Sequence, residues 1–137
     1  MLKKSSIVLA LGFLSIIMVF FYLPQVSIAE DLLGNVSVRA VPESWGGRCP
    51  HTFKFNGSIE VNGPGLFNYH WKRSDGAKSP EKMITVRKGQ KVVHVNDTWS
   101  LGSKGMKVDI FQTLYVNSGN QHLNAQSNTI PIKCMDK

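Results

Sequence analysis

The sequence predicts an all-β protein: an immunoglobulin-like β-sandwich of about seven antiparallel strands, preceded by a signal peptide. Three observations carry this. Apolar residues alternate with polar ones through most of the chain after residue 30, while helical spacing is almost absent. Clusters of Gly, Asn, Ser and Pro interrupt the alternation often enough to leave seven short segments, the number and spacing such a sandwich needs. Two cysteines, Cys49 and Cys134, lie near the two ends of this region, and an even count in an exported chain argues for a disulfide.

Export is read from residues 1–29. Lys3 and Lys4 open the segment, an apolar run covers 7–23, Pro24 breaks it, and Ser27 and Ala29 are small residues at the positions a signal peptidase inspects. Cleavage before Glu30 is the expectation. The alternative is an uncleaved anchor, for which the apolar run is at the short edge of a bilayer span. The remaining residues, 30–137, have the length of one small domain, which can hold a core but leaves little room for a deep catalytic cleft.

The strands follow in order. Residues 35–41 (NVSVRAV) set Val36, Val38 and Ala40 on one side. Residues 51–62 are clearer, with Phe53, Phe55, Ile59 and Val61 on one face and Thr52, Lys54, Asn56, Ser58 and Glu60 on the other, as in a strand with one buried and one wet face. Residues 66–72 repeat the pattern through Phe67, Tyr69 and Trp71, and 82–88, 91–99, 105–111 and 127–134 complete the set. Trp99 alternates with Val93 and Val95, which predicts a core position. The polar stretch 120–128 is expected to be a loop or a frayed hairpin.

Two turns contain glycine, and one mimics a phosphate loop. Asn62-Gly63-Pro64-Gly65 lies between two strand patterns, with no Lys-Ser/Thr after it and no helix to supply oriented N–H groups, so a hairpin turn is expected. In RSDGAKSP, Ser74 and Asp75 can bond back to the backbone and Gly76 takes the left-handed position.

Taken together, GGRCP, FKFNGSIEVNGPGLFNYHWKRSDGAKSP, DTWSLG and a closing IPIKC resemble a bacterial secreted immunoglobulin-like domain that carries Gly-x-Cys-Pro, Phe-x-Gly-x-Ile, a Gly-Pro-Gly turn, Tyr-x-Trp-x-Arg-Ser-Asp-Gly and a final cysteine. The resemblance covers about 45–134. It implies a β-sandwich with Cys49 paired to Cys134 and Trp71 packed in the core, and it implies little about activity. The chain departs from the pattern after Phe111, which leaves the path of 112–126 open. A clamp near one rim is expected, unlike the mid-core staple of antibody domains.

The chemistry-bearing residues do not assemble into a catalytic motif. His51, His70, His94 and His122 are scattered, with no HExxH spacing; His70 and His94 should face outward, where aligned strands could let them share a metal. No G-x-S-x-G elbow is present, and the nine acids frame no cleft. The expectation is a non-enzymatic protein with no cofactor, no metal and no catalytic residue.

Charge is more informative. Sixteen Lys and Arg face nine Asp and Glu, for a net +7, which falls to +5 once Lys3 and Lys4 leave with the leader. Lys72, Arg73, Lys78, Lys82, Arg87, Lys88 and Lys91 stand against only Asp75 and Glu81, so this band holds the whole excess. Lysines on an edge strand block sheet-to-sheet association; the sharper reading is an anionic partner. Specific nucleic-acid binding is not expected, because the aromatics alternate inward. Trp45, in a glycine-flanked loop, is a further contact candidate.

The expected function is a secreted or periplasmic binding module that contacts a protein or an anionic envelope component. It would touch the membrane only through an uncleaved N-terminal segment. The alternatives are a structural envelope subunit and a small inhibitor of a hydrolase, which would use a protruding loop such as 42–48 or 112–126.

Overall fold

The computed structural model describes residues 31–135, and the leader expected over 1–29 lies outside them. All regular structure in this range is strand: β1 (Leu33–Val41), β2 (Trp45–Gly47), β3 (His51–Val61), β4 (Gly65–Arg73), β5 (Lys82–Val86), β6 (Val92–Leu101), β7 (Lys107–Ile110), β8 (Gln112–Ser118), β9 (Gln121–Gln126) and β10 (Ile130–Cys134). Two layers face each other, a sheet ordered β1-β3-β6 and a sheet ordered β5-β4-β8-β9, and a small sheet ordered β2-β10-β7 adjoins them.

Ten strands stand where seven were expected, and the difference has a physical cause in each case. β2 is three residues long and exists through pairing with β10, in parallel rather than antiparallel fashion. β8 and β9 form an antiparallel hairpin across 112–126, the stretch whose path the sequence left open. The 120–128 segment is therefore mostly strand β9, whose inward Leu123 and Ala125 are only half-buried and give a weak alternation.

The core is built from the faces the alternation predicts. Phe53, Phe55 and Ile59 of β3 meet Phe67 and Trp71 of β4 and Leu114 and Val116 of β8, all buried. Burial of this apolar area is the main favourable term of the fold. Trp71 is 3% exposed and Trp99 is 6% exposed, so both fill core positions as expected.

The Asn62-Gly63-Pro64 turn joins two strands, but it is not a hairpin. β3 and β4 belong to different layers, so the turn is an arch from one sheet to the other. Gly63 adopts φ +133°, a region L side chains rarely enter, and Asn62 donates from its backbone N–H to the Leu32 carbonyl at 2.8 Å. At the RSDG turn, Asp75 accepts from the Ala77 N–H at 3.0 Å, while Ser74 bonds to Phe111 rather than back to its own segment.

Cys49 and Cys134 form the disulfide, with Cα atoms 5.5 Å apart. It lies at one rim, tying the end of β10 to the entry of β3. Gly102 rests on it: a Cβ there would lie 2.7 Å from Cys49 Sγ and 2.8 Å from Cys134 Sγ, at φ +113°. Gly102→Ala is therefore expected to cost about 1–3 kcal/mol, from steric overlap and left-handed strain together, measured by urea unfolding.

The two long sides of the sandwich are finished differently. Along β1, the side chain of Gln121 accepts from the Leu33 N–H at 2.9 Å and donates to the Leu33 carbonyl at 3.0 Å. Asn128 does the same for Ala40, at 2.8 and 3.2 Å. Side-chain amides thus satisfy the edge of β1 and close that side. On the other side β6 and β5 are each the last strand of their sheet.

Candidate functional site

The basic band does not form one surface. β4 has nine residues, so its ends are roughly 26 Å apart at the usual strand rise. Lys72 and Arg73 end β4, and Lys78 follows in the 74–81 connection, bridged to Lys72. Arg87, Lys88 and Lys91 belong to the β5–β6 connection at the other end, beside Gly65, since Gly65 pairs with Val86. Lys82 lies between, opposite Tyr69. The band is thus divided between two ends of the sheet, because antiparallel pairing carries the chain back along it. β5 is an edge strand, where the sequence placed it.

Arg73 also departs from the surface role. It continues the inward series Phe67, Tyr69 and Trp71, is half-buried, and sets its guanidinium 5.0 Å from the centroid of the Trp99 ring. The other members of the band keep outward or turn positions: Lys78, Lys82, Arg87, Lys88 and Lys91 are exposed.

Trp45 is in β2, not in an open loop. Its ring stacks on His51 with centroids 3.5 Å apart, and its indole N–H donates to the Arg48 carbonyl at 3.2 Å. The segments 42–48 and 112–126 are both tied into sheets through β2 and through β8–β9, so neither protrudes as a free loop. His70 is on β4 and stacks on Tyr115, whereas His94 is on β6 of the opposite layer beside Ser58, so the two cannot share an ion. Among the described residues no three His, Cys, Asp or Glu side chains converge.

A further feature lies between the layers. At the disulfide end, on the open side between the layers, a cavity of about 280 Å³ is lined by Trp71, Arg73, Lys78, Ser79, Asp97 and Gln112, together with Ala77 and Pro80. Gln112 opens β8 on its inward face, in phase with Leu114 and Val116, and is wholly buried. Neither its amide oxygen nor its amide nitrogen has a hydrogen-bond partner, and the Trp71 indole nitrogen is likewise buried without one. Asp97 occupies the inward phase of β6, between Val95 and Trp99. Ser79 is committed elsewhere: its hydroxyl accepts from the Trp71 backbone N–H at 2.8 Å. The signal in the sequence was the polar residue at each inward position, Arg73, Asp97 and Gln112, in strands otherwise apolar on that face.

The class is thus a disulfide-latched, all-β sandwich of the immunoglobulin-like kind. No family model and no curated sequence matches the chain. Among solved structures, the CARDB domain of a protein from Pyrococcus furiosus, in complex with di-metal ions, is similar: the TM-score is 0.54 at 9% sequence identity, covering 74% of this chain and 90% of that one. At that identity the likeness is one of fold.

Proposed function

We propose that the protein is an exported, non-enzymatic binding module that holds an anionic component of the cell envelope. The observation that supports this is the β5–β6 end of the sandwich. Arg87, Lys88 and Lys91 are exposed there within five residues, and neither the Arg39–Glu43 ion pair nor the His70–Glu81 contact found among the described residues includes any of them. On the outer face of β4 and β5, Leu66 beside them is 54% exposed, and Met83, farther along β5 opposite Asn68, is 70% exposed. Unpaired cations beside exposed apolar side chains suit a surface that is both negatively charged and partly apolar. A disulfide is compatible with a secreted or periplasmic location, where oxidising conditions let it persist.

Triple charge reversal at Arg87, Lys88 and Lys91 is expected to weaken cosedimentation with bacterial envelope fragments at least about tenfold, on the scale of about 1 kcal/mol per cation at an anionic surface. Reversal of Lys72 and Lys78 at the opposite end should leave retention nearly unchanged. The melting temperature should hold in both, because all five side chains are exposed or outward. Equal retention of the triple variant and the parent would overturn the reading.

A further inference from the structure

We infer that the cavity between the two layers at the disulfide end is a binding site for a small carboxylic acid that also carries N–H or O–H donors, the chemistry of an amino acid or a sugar acid. This goes beyond the external cationic surface, from which it is separated by most of the length of β4.

The lining has two poles. Trp71 Nε1–H and the Gln112 amide nitrogen are buried donors with no partner, and two cationic residues, Arg73 and Lys78, belong to the same lining. Together they suit a carboxylate, which accepts several hydrogen bonds and gains most from cationic donors. The Gln112 amide oxygen, also buried without a partner, and the Asp97 carboxylate accept instead, so they call for donors on the same molecule. Arg73 and Asp97 line one cavity without pairing to each other: among the described residues the ion pairs are elsewhere. The volume of about 280 Å³ is at the small end of ligand pockets, which fits a metabolite rather than a peptide segment.

A purely structural account covers only part of this. An inward acid on an edge strand can keep that edge from pairing with another sheet, and Asp97 on β6 suits that role. Gln112 does not, because β8 lies between β4 and β9 and protects no edge. A polar amide at a wholly buried position normally has its partners within the protein; Gln112 has none there, and it lines the cavity.

The test uses nitrogen-15-labelled protein and a panel of free L-amino acids, D-glucuronate and D-galacturonate, each at millimolar concentration, with the matching decarboxylated amines, D-glucose, D-galactose and unsubstituted short-chain acids as controls. The readouts are the three indole N–H resonances and the melting temperature. The expected result is that at least one panel member moves the Trp71 indole resonance, leaves that of Trp45 in place and raises the melting temperature, while its control lacking the carboxylate does not. The amino-acid and sugar-acid arms separate the two sources of this chemistry. Gln112→Leu, matched in size and apolar, is expected to keep or raise the melting temperature yet weaken the response at least about tenfold, since removing the paired amide removes its share of recognition. Its cosedimentation with envelope fragments should not change, so failure here is distinct from failure of the external site. If no panel member moves the Trp71 resonance in the parent protein, the cavity holds solvent only and the inference is wrong. Equal response from Gln112→Leu overturns it as well.

Discussion

Replacing Cys49 and Cys134 together by alanine is expected to lower the unfolding free energy by about 4–5 kcal/mol. The bond joins residues 85 apart in sequence, and closing so long a loop removes much of the freedom of the unfolded chain. On the chain-entropy account a loop of this size contributes about 4–5 kcal/mol. For a domain near a hundred residues, whose whole stability is about 5–15 kcal/mol, that is a large share. The native state loses contacts too. Cys134 is 5% exposed and ends β10, whose partners β2 and β7 have only three and four residues and so bring little pairing of their own. The melting temperature should fall by about 20 °C or more. Urea unfolding of the double variant against the parent gives the number directly, with the slope of the transition as a check on changes in the unfolded chain. A loss below about 1 kcal/mol would mean that the small sheet holds the rim without the bond.

How much of this architecture was legible depends on which faces are one-sided. β3 could be read residue by residue because Phe53, Phe55, Ile59 and Val61 are buried while Thr52, Lys54, Asn56 and Glu60 are exposed, so pattern and environment agree. β8 carries the same inward series in Leu114 and Val116, but it opens with Gln112, which breaks the alternation at the point where the strand starts. The residue that hides the strand is the one that marks the cavity, and polar residues at inward positions are where local rules are expected to fail for function. Turn chemistry was read correctly at Gly63 as far as the bend itself, but a bend does not say which strands pair. β3 and β4 find partners in opposite layers through contacts distant in sequence. The basic band is divided for a related reason: seven cations within twenty residues are near in sequence, yet the β4–β5 turnaround sends them to two ends of the sheet.

The second large effect is expected at the contact between Gly57 and Trp71. Gly57 is buried at an inward position of β3, between Phe55 and Ile59, where the alternation calls for a large apolar side chain. The space is already taken: a Cβ at Gly57 would lie 2.7 Å from Leu114 Cδ2, 3.0 Å from Val95 Cγ2 and 3.3 Å from the Trp71 ring. Glycine there gives up β propensity so that a ring from the facing layer can cross the middle of the sandwich. Trp71→Ala is expected to cost about 3–5 kcal/mol, through lost burial and the cavity left behind. Gly57→Val is expected to cost about 1–3 kcal/mol through overpacking, since interiors at this density have no room to spare. The informative variant is the double one. With the indole gone, valine at 57 enters space that the ring had filled, so the double variant should be less destabilised than the sum of the singles by about 1 kcal/mol or more. Additivity within about 0.5 kcal/mol would mean that the two residues do not share one space, and that the clash at 57 is carried by Leu114 and Val95 alone.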